Sequence, residues 1–441
     1  MKKLIAVLCV ISLLMLTSCN VINNDPQQLM RPPKAIGELK GIEDALYKSV
    51  GNNISLLYPK SEDKRSAYLQ YDIDNDGVED VLAFYSIDAN VADNTKSLSP
   101  HINVIKKVNG VWKSVLDTVV DVSGIDTIQF VDLTGDGKVE IIAGCSLYSV
   151  TDKKLIVYSY QNEKLNIRMS ESYSIYTVTD LNNDKTPEIF YTTIDSLKKT
   201  STAKLVSISG DGLTIVGSTS MDGNITDYAS ITVKNVNETI KGVYIDAYKG
   251  QNAMITELVF MKNGKLYNPF IDSAFKINQS TMRESAVLST DINKDGYNDI
   301  PQLIELPVKG GDTQDKYYLT VWRRFDGEYF KNSLTCLMNN NDGYYFVFTD
   351  QWVGNVTVER MINERKRVFK RWDFTSQKAG SEIFTLQVFS EEAWGKSHLP
   401  DFVEIARQNK LVYTVKLGET EDSFTISLED IKARFHLIES N

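Results

Sequence analysis

Short β-type runs separated by turn signals dominate the chain from Ala67 onward. AYLQYDI (67–73) leads into an acidic turn, DVLAFYSI (80–87) leads out, and INVIKKV (102–108) and VWKSVLDTVV (111–120) follow, joined by Asn109-Gly110. The same rhythm returns in KLIVYSY-QNE-KLNIRM, KLVSIS-GDG-LTIVGS, ITELVFMK-NG-KLYNPF and YYLTVWRRF-DG-EYFKNSLTCL. Asn-Gly and Asp-Gly between such runs predict hairpins, because both turn residues tolerate positive φ. Four short strands per repeat of about 50–60 residues match a β-propeller blade. Ahead of the strands, Leu39, Ile42, Leu46 and Val50 fall at helical spacing, so one helix is expected over Gly37 to Val50.

The acidic turn is itself repeated. YDIDNDGVEDV at Tyr71 is followed by VDLTGDGKVEII at Val131, TDLNNDKTPEIF at Thr179 and TDINKDGYNDIP at Thr290. The leading aspartates Asp72, Asp132, Asp180 and Asp291 lie 60, 48 and 111 positions apart, so the last interval has room for another copy. SITVKNVNETIKGVYIDAY (230–248) fills it: Asn235 stands where the aspartate belongs and Asn237 holds the third position, while Thr239 and Val243 replace the later acids. The expectation is an all-β fold, a five-bladed β-propeller over residues 60–340 with four acidic blades, preceded by a helix and lead-in over 38–59.

Carboxylates crowded into one turn raise each other's pKa and destabilise it unless a cation or donors offset them. Calcium takes six to eight oxygens, and alternate residues of a tight loop can supply them. The candidate ligands are Asp72, Asp74, Asp76 and Asp80; Asp132, Thr134, Asp136 and Glu140; Asp180, Asn182, Asp184 and Glu188; and Asp291, Asn293, Asp295 and Asp299. The seventh residue of each loop, Val78, Lys138, Thr186 or Tyr297, offers its carbonyl. An acid at the ninth position and β flanks separate these loops from an EF-hand, and zinc would prefer His and Cys, which the loops lack.

The pattern D-x-[DN]-x-D-G-x-x-[DE] between strands resembles the FG-GAP and VCBS repeats of integrin α-chain propellers and bacterial surface proteins, over roughly residues 60–340. The resemblance implies a calcium-binding propeller. The chain departs from it at Lys185, where glycine is expected, around Asn235, and in lacking clear Phe-Gly and Gly-Ala-Pro elements.

The N-terminus changes the setting. Lys2 and Lys3 precede an apolar run from Leu4 to Leu16, an export signal short for a permanent membrane span. Leu16-Thr17-Ser18-Cys19 resembles the bacterial lipobox, which implies a signal peptide over 1–18 and lipidation of Cys19. Residues 19–37, with Pro26, Pro32 and Pro33, are expected to form a tether. This predicts a protein held by its lipid at the outer face of a bacterial membrane. Two cysteines remain in the body, Cys145 and Cys336, expected as buried free thiols. A net charge of −10 has the wrong sign for a nucleic-acid partner.

From Asn341 to Asn441 the acidic loops stop. GYYFVFTDQW, NVTVERMI, KRVFKRWDF, SEIFTLQVF and KLVYTVKL look strand-like; EEAWGK, LPDFVEIARQ and LEDIKARFHLI look helical, giving an expected C-terminal α+β domain. Trp352, Trp372 and Trp394 suit either a core or a ligand groove, and ERKRVFKRW (364–372) either a solvated face or an anion-binding one. His101, His398 and His436 occur in unrelated contexts, and no HExxH or GxSxG is present. The functional expectation is a calcium-stabilised binding or scaffold module for a protein or polysaccharide ligand, in the cell envelope or extracellular. A propeller hydrolase or lyase and a purely structural envelope component are the alternatives.

Overall fold

The computed structural model describes residues 37–60, 64–87, 99–149, 151–209, 212–308, 317–397, 399–419 and 423–438. The expected signal peptide, lipidated Cys19 and most of the tether lie outside them, as does His398. The described chain is predominantly β, arranged as successive antiparallel sheets. No helix among the described residues is long and apolar enough to cross a membrane.

Two compact units are distinguished. The first holds the described residues up to Leu57 with Ser66–Tyr71 and Val78–Val120; the second holds Tyr58–Arg65, Asp72–Gly77 and Asp121–Asn441.

In the first unit, helix α1 (Glu38–Val50) is followed by β1 (Ile54–Leu56), β2 (Tyr68–Tyr71), β3 (Asp80–Ile87), β4 (His101–Val108) and β5 (Val111–Val119). Strands β1 and β2 pair with successive stretches of β3, which continues to β4 and β5. The helix buries Ile42, Ala45 and Leu46 against Val81, Ala83, Tyr85 and Ile105, while Leu39 stays exposed, outside the apolar stripe expected of it. Gly41 leaves room for the Trp112 ring, which a Cβ would approach to 3.0 Å. His101 is buried in the same sheet, its Nδ1 2.9 Å from Asp117 and 3.1 Å from the Tyr85 hydroxyl, which donates to Asp117.

The second unit repeats a four-stranded meander. Its first sheet is β6 (Gly124–Val131), β7 (Glu140–Ser146), β8 (Lys153–Gln161) and β9 (Lys164–Tyr173). The next is β10 (Tyr176–Thr179), β11 (Glu188–Asp195), β12 (Thr200–Ser209) and β13 (Gly212–Met221). Strands β14 (Ile225–Asn235), β15 (Lys241–Lys249), β16 (Ala253–Lys262) and β17 (Lys265–Tyr267) form the charge-poor repeat. In the last repeat the leading strand shrinks to a bridge between Thr290 and Asp299, before β18 (Asp299–Glu305), β19 (Tyr318–Phe325), β20 (Phe330–Asn339) and β21 (Tyr344–Val347).

Consecutive sheets of this unit share cores. Ile142 and Leu155 pack with Ile189 and Val206; Phe190 and Leu205 with Val243 and Ile255; Tyr244 and Phe260 with Ile300 and Phe325. Sheets covered on both faces need central strands apolar on both faces, which is why β7, β11 and β15 are nearly continuous buried runs rather than alternating ones. The predicted hairpins form, with Asn109-Gly110 and Asn263-Gly264 both at positive φ.

The C-terminal part forms a five-stranded antiparallel sheet from β22 (Val356–Met361), β23 (Lys366–Asp373), β24 (Lys378–Ser390), β25 (Val403–Gln408) and β26 (Leu411–Leu417), with short helices α2 (Glu391–Lys396) and α3 (Leu428–Arg434). Two expectations change here. LPDFVEIARQ contributes strand β25, because Asn409 and Lys410, both at positive φ, close a tight hairpin onto β26. LEDIKARFHLI is helical only to Arg434; β27 (Phe435–Leu437) then pairs with β21. This sheet and that of β18–β21 share one aromatic core, in which the Phe369 and Phe384 rings stack at 4.1 Å.

Candidate metal-binding loops

Each acidic loop joins two strands, and its leading aspartate organises the backbone. Asp72 accepts from the N–H groups of Asp76 (3.1 Å) and Gly77 (2.9 Å), Asp180 from Asp184 (3.2 Å) and Lys185 (3.0 Å), and Asp291 from Asp295 and Gly296 (both 2.9 Å). Asp132 accepts from Gly135 (2.7 Å) and Gly137 (2.8 Å), with a further contact from Thr134 N–H at 3.2 Å. Two residues per loop turn left-handed: the fourth (Asn75, Gly135, Asn183, Lys294) and the sixth (Gly77, Gly137, Lys185, Gly296). Lys185 thus takes a glycine's conformation at φ 76°, which costs an L-residue about 1 kcal/mol. The sequence pattern exposed the sixth position and missed the fourth.

Residues three and five continue the weave. Asn182 and Asn293 accept from the N–H of Asp184 and Asp295 and donate their amides to those carboxylates. Asp136, Asp184 and Asp295 in turn accept from the N–H of the seventh residues Lys138, Thr186 and Tyr297. The Tyr297 ring also lies beneath the Arg324 guanidinium. Asp72, Asp74 and Asp76 belong to the second compact unit, Val78 and Asp80 to the first.

The ninth-position acids Asp80, Glu140, Glu188 and Asp299 are all buried, and they differ in what meets them. Asp80 is 3.0 Å from Lys106 Nζ, so an ammonium already offsets its charge. Asp299 accepts from the Ser333 hydroxyl (2.5 Å) with one oxygen and from Ile292 N–H (3.3 Å) with the other. Glu140 accepts from Leu133 N–H at 2.9 Å. Glu188 accepts from Leu181 N–H at 2.9 Å through Oε2, and the nearby Asn182 N–H also favours its charged form, while its buried Oε1 has no donor in hydrogen-bond geometry.

Burial, followed by repulsion from the acids at the first and fifth positions, raises the pKa of Glu140, Glu188 and Asp299. In the third loop, carboxylate oxygens of Asp180, Asp184 and Glu188 all lie within 4.8 Å of one another. Two oxygens each ~2.6 Å from one calcium ion can be no more than about 5.2 Å apart, and the spacing of this set stays within that limit. The orphaned oxygen of Glu188 is the donor such an ion would use. All-oxygen ligands favour calcium over zinc.

The other sequence candidates find structural roles. Trp352 and Trp372 are buried, Trp352 within the C-terminal aromatic core, so they line no open groove; the Trp394 indole donates to Glu404. The basic run is paired: Arg365 with Asp342, Lys366 with Glu364 and Lys370 with Glu359, while Arg367 donates to the Tyr317 hydroxyl and Arg371 lies over the Phe424 ring. Cys145 and Cys336 are buried free thiols, burial pushing both up to about 12.

No family model matches the chain, and no curated protein matches it. Among solved structures it is similar to a rhamnogalacturonan lyase from Bacillus licheniformis, with 11% identity over 82% of this chain and 71% of the other and a TM-score of 0.29. A likeness at that score carries no argument about fold or activity.

Proposed function

We propose that the protein is an exported, lipid-anchored scaffold at the outer face of a bacterial membrane, a five-bladed propeller of FG-GAP/VCBS type whose acidic loops bind calcium and which presents a binding surface to an envelope ligand. The lipobox-like Leu16–Cys19 supports the anchor, and the succession of four-stranded antiparallel meanders supports the propeller. The observation that carries the calcium reading is Glu188 Oε1, a buried carboxylate oxygen without a donor beside Asp180 and Asp184. Leaving such an oxygen unsatisfied costs about 1–3 kcal/mol, which a bound cation removes. The ion's role is structural: it binds the folded loop and not the unfolded chain, and so stabilises by mass action.

Calorimetric melting of the detergent-solubilised mature protein, with calcium and with chelator, tests this. The melting temperature rises with calcium; no movement would remove the metal sites from the account.

A further inference from the structure

Away from the acidic loops, the β6–β9 sheet carries a second polar site at its opposite end. The ladder between β6 and β7 passes from the Ile125/Cys145 pair to Thr127/Gly144, leaving Asp126 as an inserted residue. A bulge of this kind re-aims one side chain, and bulges cluster next to functional sites. Here it turns the Asp126 carboxylate, 15% exposed, to the wall of a cavity of about 480 Å³ that Lys153, Tyr173 and Tyr176 also line.

The wall is built for directional contacts. The Ser146 hydroxyl donates to Asp126 Oδ2, fixing the carboxylate. Oδ1 has only an ionic contact at 2.6 Å with Lys60, an arm 74% exposed, and no donor aligned on it as a hydrogen bond. Beside it, Tyr173 and Tyr176 meet edge to face at 5.3 Å, and Tyr176 shares a 2.8 Å hydrogen bond with Thr127. Gly144 makes the convergence possible: a Cβ there would lie 2.6 Å from the Tyr173 hydroxyl and would also collide with Thr127 Oγ1. Lys153, half-buried at the start of β8 between Ser146 and Tyr173, has no salt-bridge partner among the described residues.

A free ammonium, a carboxylate whose Oδ1 is held only by the exposed arm of Lys60, a tyrosine hydroxyl and an aromatic wall together describe a ligand that carries one anionic group, several hydroxyls and an apolar C–H face. The volume suits a small molecule or one residue of a polymer. We propose that this cavity binds a carboxylated sugar, with Lys153 on the sugar carboxylate, a ring hydroxyl displacing the exposed Lys60 arm to donate to Asp126 Oδ1, and the tyrosines against the ring. This deepens the binding reading given above and rests on it. It does not depend on calcium.

Titration calorimetry of the mature protein with glucuronate, glucose and glutamate tests it, using wild type and Lys153→Ala. Expected are glucuronate binding, glucose and glutamate at least tenfold weaker, and a tenfold or greater loss of glucuronate affinity in Lys153→Ala. Absence of glucuronate binding, equal binding of glutamate, or wild-type affinity in Lys153→Ala would overturn the assignment. A cooperative melting transition in chelator, measured on the same samples, shows that each variant is folded, and the calcium-dependent shift stands or falls separately.

Discussion

The Asp180 repeat and the charge-poor repeat that follows it, fourth along the chain, close the same strand-turn-strand with opposite chemistry. The third uses Asp180, Asp184 and Glu188, holds Asn183 and Lys185 left-handed, and leaves a buried carboxylate oxygen without a donor. The fourth uses Asn237, whose oxygen accepts from Thr239 and Ile240 N–H and whose amide donates to the Asp326 carbonyl at 2.9 Å. Its sheet adds a buried web: Arg283 pairs with Asp246 at 2.8 Å, both side chains fully buried, and Lys249 pairs with Asp222 at 2.6 Å. One turn is finished by its own hydrogen bonds, and the other keeps a buried carboxylate oxygen that they do not reach. The fourth repeat also reaches its neighbours: Lys241 donates to the Asp180 carbonyl and Lys234 lies 3.8 Å from Asp291.

The comparison breaks most sharply at Arg283. Arg283→Met leaves Asp246 buried and unpaired, and a loss of about 3–5 kcal/mol is expected. Urea unfolding should give the same loss with calcium or chelator, since this repeat needs no ion. Calcium itself should stabilise the wild type by about 2.7 kcal/mol per occupied loop at a hundredfold excess over its dissociation constant. A titration of the melting temperature against free calcium checks that figure.

A third test uses pH. Burial pushes Glu257 up to about 6, against opposing hydrogen bonds from Asn268, Asp222 N–H and Asn278. The folded state then holds a proton that the unfolded chain releases near pH 4.5, so stability falls as pH rises from about 4.5 through 6, by roughly 2 kcal/mol. Glu257→Gln should flatten that part of a stability–pH curve. The smallest effect belongs to Lys185→Gly, which relieves the left-handed lysine and should raise the denaturant midpoint by the equivalent of about 1 kcal/mol or less, offset in part by glycine's unfolded-state entropy.

Sequence patterning carried further for the repeats than for the residues that service them. The Asn-Gly hairpins and the ninth-position acids are local, so a window of a dozen residues contains them. Strand β25 was hidden because its turn, Asn409-Lys410, lacks the glycine that usually marks such a hairpin, and β27 because its partner β21 lies ninety residues upstream. Lys106 on Asp80, Ser333 on Asp299 and the counterions of the 364–372 run are contacts between distant segments, and no periodicity reveals them. The bulge at Asp126 leaves the alternation of β6 intact to the eye and becomes visible only in the register. The third loop, with Lys185 in the glycine position, holds a buried oxygen without a donor, Glu188 Oε1, which the glycine pattern does not signal.

Glu188→Gln, melted in calcium and in chelator, tests the central claim most directly. If Glu188 is a ligand, the variant loses calcium-dependent stabilisation, yet in chelator it is at least as stable as wild type, because an amide is buried at lower cost than a carboxylate facing Asp180 and Asp184. The two stability orders therefore cross. A variant destabilised equally in both conditions, or one that keeps the full calcium response, would contradict the account.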